Sequence, residues 1–171
     1  MSTTGARIVA RPLTADAFAP FGDVLDAHGA PDFPINAGQC DRFHDRARLE
    51  FLGEGARAGI SLARSRPSAL PLRLERVERH PLGSQAFLPL GADPFLVVVA
   101  PDADGVPEPP LAFLTRPGQG VNYLRNVWHG ALAPLGRSAG FVIVDRIAPS
   151  GDPAENLREW VFATPFEVEA A

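Results

Sequence analysis

Gly118-Gln119-Gly120-Val121-Asn122-Tyr123-Leu124-Arg125-Asn126-Val127-Trp128-His129 is the stretch on which the reading of the fold turns. Its glycines mark a turn, Gly120–Leu124 then reads as a strand, and a histidine follows the first glycine by 11 residues. A purely structural strand would not gather Asn, Tyr, Arg, Asn and His in so few residues. A second stretch shares this density: Glu78-Arg79-His80-Pro81-Leu82-Gly83-Ser84-Gln85-Ala86-Phe87. Read as a hairpin feeding a strand, it puts Glu78 and His80 on one face, because strand side chains alternate with period two. Gln85 begins the next strand and is expected to converge on them.

Working outward, short apolar runs punctuated by proline and glycine predict strands at Gly59–Arg64, Leu70–Leu74, Ser84–Leu90, Phe95–Ala100, Leu111–Thr115, Gly120–Leu124 and Ala139–Arg146. Their spacing favours a sandwich or barrel. Helical signals lie near the ends. Thr14 caps a short helix over Ala15–Ala19, and Asp152-Pro153-Ala154-Glu155 starts another that carries Leu157, Trp160 and Val161 on one face. Pro101–Pro110 is proline-rich and acidic and reads as a surface loop between two buried strands. The expected class is mainly β, a cupin-like β-barrel with a few short helices near the termini. The glycine-to-histidine spacing matches the second motif of cupin barrels, with Leu124 and Asn126 where that motif usually has proline and glycine. The first motif is matched in part: Glu78 and His80 take the places of its paired histidines, and Gln85 that of its glutamate. Glu78, His80, Gln85 and His129 are therefore the candidates to face a metal or a substrate.

Composition removes whole classes of function. The 171 residues, 46% hydrophobic and 21% charged, suit a single globular domain over residues 1–171. No apolar run approaches the roughly 20 residues of a membrane span. Met1–Gly5 carries no secretory signal, and Cys40 is the lone cysteine, so a cytoplasmic setting is expected. A net charge of −4 argues against nucleic-acid binding. All 16 basic residues are arginine. A chain without lysine has no pyridoxal phosphate attachment and no phosphate-binding P-loop lysine, and no glycine-rich loop offers a nucleotide site. An anion site must then be built from arginine, backbone amides or a metal.

These segments resemble the ureidoglycolate lyase family, the ureidoglycolate hydrolase family of allantoin breakdown. The likeness is carried by Phe21-Gly22-Asp23-Val24, Ile35-Asn36-Ala37-Gly38, Arg42-Phe43-His44-Asp45, Glu78–Phe87, Gly120-Val121-Asn122-Tyr123 and Arg125-Asn126-Val127-Trp128-His129, and extends from about Arg7 to Phe162. It implies a cupin-like barrel, a homodimer, a divalent metal such as nickel, and conversion of (S)-ureidoglycolate to glyoxylate and urea. That chemistry needs a base for a hydroxyl proton and an acid for a departing nitrogen, which suits histidine. On this reading His129 and His80 transfer protons or bind metal, assisted by Glu78 and Gln85. Arg125 or Arg42 holds the substrate carboxylate. Asn36, Asn122 or Gln85 recognises the ureido group, Trp128 and Phe87 exclude water, and His44 is a secondary candidate. Two rival readings stand beside it: another small-acid cupin enzyme, such as a metal-dependent isomerase or dioxygenase, and a non-catalytic cupin that binds a small acid.

Overall fold

A computed structural model describes residues 5–171; Met1–Thr4, most of the stretch read for a leader, lie outside the described residues. The strands in chain order are β1 (Arg7–Pro12), β2 (Gly22–Leu25), β3 (Phe33–Ile35), β4 (Cys40–Arg42), β5 (Arg57–Ser65), β6 (Leu72–Arg79), β7 (Gln85–Pro89) and β8 (Phe95–Ala100). They continue with β9 (Asp102–Ala103), β10 (Val106–Pro107), β11 (Leu111–Leu114), β12 (Gly120–Tyr123), β13 (Trp128–His129), β14 (Ala133–Pro134), β15 (Ala139–Ile147) and β16 (Arg158–Ala170). One short helix, α1 (Ala15–Phe18), precedes β2, and a 3-10 turn over Pro153–Asn156 precedes β16.

Six strands close on themselves in the order β11-β1-β16-β6-β13-β8, the last pairing back to β11, so the ring leaves no free edge between them. A five-stranded sheet, β2-β12-β7-β15-β5, packs against one side. The mainly β, barrel-containing architecture expected from the strand spacing is what forms. Every residue of β8 is buried because its two faces serve two cores. Leu96, Val98 and Ala100 turn into the ring, where they meet Leu74, Val77, Ala112, Trp128 and Val168 from the other ring strands. Phe95, Val97 and Val99 turn outward to Phe87, Val121, Tyr123 and Phe141 of the five-stranded sheet. The α1 turn caps that second core with Phe18, fully buried and edge-on to Phe113.

The chain departs from the sequence reading in three places. The expected C-terminal helix is only the 3-10 turn; Leu157 is already extended (φ −122, ψ 132) and Trp160 and Val161 lie in β16. Tertiary pairing decides this, because Trp160 stands opposite Val77 of β6 while Val161 faces out, a period-two pattern no helix supports. The Pro101–Pro110 loop does join β8 to β11 but holds a miniature hairpin, β9–β10, turned on Asp104 and Gly105 with φ of 52° and 89°. That is the Asp-Gly signal of a type I′ turn. Finally, Glu78–Phe87 is not a hairpin: β6 belongs to the ring and β7 to the other sheet, so the segment crosses between layers.

Residues 43–56 run across the outer face of the five-stranded sheet, fastened by Asp23 on β2. The Arg48 backbone N–H donates to Asp23 Oδ2 at 2.8 Å, Arg48 Nε to Oδ1 at 2.8 Å, and Asn122 Nδ2 to Oδ2 at 2.9 Å. Burial works against the Asp23 charge, but the Arg48 and Asn122 donors outweigh it and hold the carboxyl below its usual range. A carboxyl depressed in the folded state stabilises above its unfolded value and loses that contribution as pH falls. Asp23→Ala is therefore expected to cost about 2 kcal/mol at neutral pH in urea unfolding. The difference from the parent should shrink as pH drops below about 4. A pH-independent difference would show that packing, not the charge, fastens the segment.

Candidate active site

The two dense blocks of the sequence lie side by side through the crossing between layers. On the five-stranded sheet Tyr123 of β12 stands opposite Gln85 of β7; on the ring His129 of β13 stands opposite Glu78 of β6. Between them the 124–127 turn is sewn to the 80–81 segment. Asn126 N–H donates to the His80 carbonyl at 2.9 Å, and Arg125 Nη1 to the Pro81 carbonyl at 3.2 Å. Asn126 takes the turn with φ 67°, a conformation open to asparagine as well as to the glycine usual there.

Alternation then separates the two residues of β13. Trp128 enters the ring, its Nε1 donating to Asp102 Oδ1 at 2.7 Å under the Arg79 guanidinium, 4.3 Å from the indole. His129 faces the other way, between the layers, 2% exposed and stacked on Tyr123 at 4.2 Å. His80, just past β6, brings its ring centre to 5.3 Å from that of His129. Glu78 Oε1 lies 3.6 Å from His129 Nε2 and 3.8 Å from His80 Nε2, longer than hydrogen bonds but close enough for strong charge coupling.

The far side of each ring is fixed. His80 Nδ1 is 2.8 Å from the Asn156 carbonyl and His129 Nδ1 is 3.0 Å from the Val127 carbonyl. A carbonyl only accepts, so Nδ1 carries a proton in each ring, and Nε2 is the atom left to face Glu78, as a lone pair in the neutral ring or an N–H in the protonated one. Both Nε2 atoms are buried and have no hydrogen-bond partner. The Glu78 carboxyl is held far below the usual carboxylate range by the His129 ring first and the His80 ring second, against the opposing effect of burial. Burial lowers the His80 pKa, yet Glu78 and the Asn156 carbonyl outweigh it and the net shift is upward.

Glu78 and Gln85 together border two cavities. One, about 200 Å³, is also bordered by the polar side chains of His80, Asp145, Arg146 and Asn156. The other, about 230 Å³, is walled by Phe87, Tyr123, His129, Leu132 and Ile143. Gln85 donates Nε2 to Asp145 Oδ2 at 3.2 Å, and its Oε1 is buried without a partner. Arg146 is spent on the Leu52 carbonyl and Glu155 Oε1, both at 2.6 Å, but its Nη1 is buried and unpartnered. Tyr123 is pushed well above its ordinary pKa by burial and then by the Glu78 charge, so it stays a neutral phenol.

Glu78, His80 and His129 thus come together, with Gln85 beside them. Phe87 walls the second cavity, and the other residues singled out from sequence border neither. Asn122 is fully buried but gives its Nδ2 to Asp23 and to the Arg48 carbonyl. Arg125 lies 3.5 Å from Glu50. Arg42 is exposed on β4, Asn36 (φ 53°) turns the β3–β4 hairpin, and the His44 ring lies 5.4 Å from Phe33. Sequence reasoning missed Asp145, Arg146, Tyr123 and Asn156. Asp145 and Arg146 had a legible signal: two charges ending an otherwise apolar strand.

The residues fit a divalent cation. Two imidazoles and one carboxylate offer ligand atoms within 4.8 Å of one another, and both Nε2 atoms are buried without a hydrogen-bond partner, a set that suits a divalent cation once Nε2 carries no proton. Fold and site together define a β-barrel protein with a bis-histidine–carboxylate centre in a pocket for a small molecule. A model of the ureidoglycolate lyase family matches residues 5–169, and the chain belongs to that family. It is 59% identical over 163 residues to the ureidoglycolate lyase of Rhodobacter capsulatus, covering 95% of this chain and 98% of that protein. It is 56% identical over 162 residues to the ureidoglycolate lyase of a Chelativorans species, covering 95% and 96%. Ureidoglycolate lyase 2 of Rhizobium meliloti is 55% identical over 161 residues, covering 94% and 96%.

Proposed function

We propose that the protein cleaves (S)-ureidoglycolate to glyoxylate and urea at the Glu78–His80–His129 centre. The observation that carries this reading is the pair of buried, unpartnered Nε2 atoms converging on an ionised carboxylate, in a chain of this family. In the reaction the substrate hydroxyl loses its proton and its electron pair forms the glyoxylate carbonyl. The carbon–nitrogen bond breaks, and the departing nitrogen takes a proton to become urea. The Nε2 atoms of His80 and His129 and the Glu78 carboxylate are the proton acceptors at hand, each in so far as it does not hold an ion. The proton taken from the hydroxyl is returned to the departing nitrogen by the group that accepted it, while Tyr123 keeps its phenolic proton and walls the apolar side, where Phe87, Leu132 and Ile143 exclude water. Arg146, with Nη1 unpartnered, is the guanidinium best set to meet the substrate carboxylate.

Glu78, His80 and His129 are the residues that would hold a divalent metal, nickel being the one the family resemblance suggests. Such an ion supplies Lewis acidity that lowers the pKa of a coordinated hydroxyl. The test is turnover of (S)-ureidoglycolate before and after a strong chelator, with the ions then restored one at a time. Loss on chelation and recovery with one ion is expected; activity indifferent to chelation would remove the metal from the site.

The homodimer that the family resemblance implies would find an apolar surface to use. On the outer face of the five-stranded sheet Ile60 and Leu62 are 78% and 75% exposed beside Leu88 and Leu90, an apolar patch that isolated proteins rarely leave open. Leu62→Glu is expected to convert a dimer to a monomer in sedimentation; an unchanged dimer would move the interface elsewhere. The exposed free thiol of Cys40 is in keeping with a reducing, cytoplasmic setting. Among the described residues no helix is long and apolar enough to cross a membrane.

A further inference from the structure

Gln85 is the one amide bordering both cavities, and its orientation follows from its neighbour. It stands opposite Asp145 in the β7–β15 register and opposite Tyr123 in the β7–β12 register, so the three form a row across the sheet, facing Glu78 and His129 on the ring. A carboxylate accepts hydrogen bonds and does not donate them, so the amide must turn its NH2 toward Asp145. That 3.2 Å bond leaves Oε1 as the end that cannot be satisfied by Asp145, and it is buried with no partner among the described residues. A buried carbonyl oxygen left in this way calls for a donor, and leaving it unmet is costly.

We propose that Asp145 is a positioning residue that locks the Gln85 amide with its oxygen toward the pocket, where Oε1 accepts from a ureido N–H and selects substrates carrying that donor. This rests on the cleavage of ureidoglycolate proposed above and adds the recognition of its nitrogen end. The ureido group is a set of N–H donors around one carbonyl. A site with a fixed acceptor recognises it without first having to order the amide, whereas an amide free to flip gives up that freedom on binding. A polar site built for one donor also rejects analogues lacking it more strongly than an apolar wall does.

The test compares the parent with Gln85→Leu, Asp145→Leu, Asp145→Asn and the double Leu variant, each checked for folding by circular dichroism and for bound metal by elemental analysis. KM and kcat are measured with (S)-ureidoglycolate, and the inhibition constant is measured with urea, the product that carries the same donors. Expected is a rise of roughly tenfold in both KM and the urea inhibition constant for each single Leu variant, with kcat within a few-fold and metal content unchanged. Asp145→Asn, whose amide permits both orientations of Gln85, should fall between. The double variant should be no worse than Gln85→Leu, because Asp145 acts only through that amide. An unchanged KM and urea inhibition constant in a folded Asp145→Leu would overturn the proposal, as would loss of metal from Gln85→Leu, which would make Oε1 a ligand. A parent that releases no glyoxylate would instead overturn the cleavage reading itself.

Discussion

Replacing His129 with alanine is expected to lower kcat for (S)-ureidoglycolate by roughly 100-fold or more, the range lost when a positioned proton-transfer group is removed. The geometry leaves Nε2 as the ring's working atom, for the proton or for the ion. Its Nδ1 is spent on the Val127 carbonyl, its face on Tyr123, and its Nε2 on nothing but the approach to Glu78. The ring is also buried, and removing a buried aromatic costs about 3–5 kcal/mol through the cavity it leaves. His129→Gln fills most of that volume and serves as the control. Both variants should lose turnover, while thermal unfolding should suffer mainly in His129→Ala. A folded variant with unchanged turnover would remove His129 from the mechanism.

Glu78→Gln should produce the second large effect, and for a different reason. The substitution keeps the shape and removes the one formal charge on which both Nε2 atoms converge. Changes to residues that merely support metal ligands cost about 10–100-fold in affinity, and loss of a ligand charge should cost at least that much. Titration calorimetry with the ion that restores activity should therefore show binding weakened by at least this factor, with turnover falling alongside. Binding and turnover both unchanged would mean that the carboxylate only buffers the histidines.

Much of this was legible in the residues because the signals were local. Phe95–Ala100 reads as a strand buried on both faces and is one, its odd and even residues feeding two cores. The two dense blocks come together, with His129 standing opposite Glu78 where β13 meets β6. What could not be read was set by distant partners. β16, the longest strand, looks helical at its start because Asp152-Pro153 is a real capping signal; pairing with β6 and β1 takes over within a few residues. β1 and β2 carry no strong pattern of their own and are strands because each finds a partner edge. At the site, Asp145 and Arg146 hid at the end of an apolar run. Asn122 looked like a substrate group because it is a polar residue in a dense block. Its neighbour on β2, Asp23, is 99 residues away in sequence and claims its amide for the 43–56 segment. Arg42 and His44 sit in motifs rich in charge, but the β3–β4 hairpin that carries them leaves them toward solvent.

The central claim is that the Glu78–His80–His129 centre breaks the carbon–nitrogen bond of ureidoglycolate, and the time course of its products tests this most directly. Purified protein given (S)-ureidoglycolate should release glyoxylate and urea together, mole for mole, with no ammonia, and His129→Gln should slow both equally. Ammonia in place of urea, or no glyoxylate from the folded, metal-supplied parent, would contradict it.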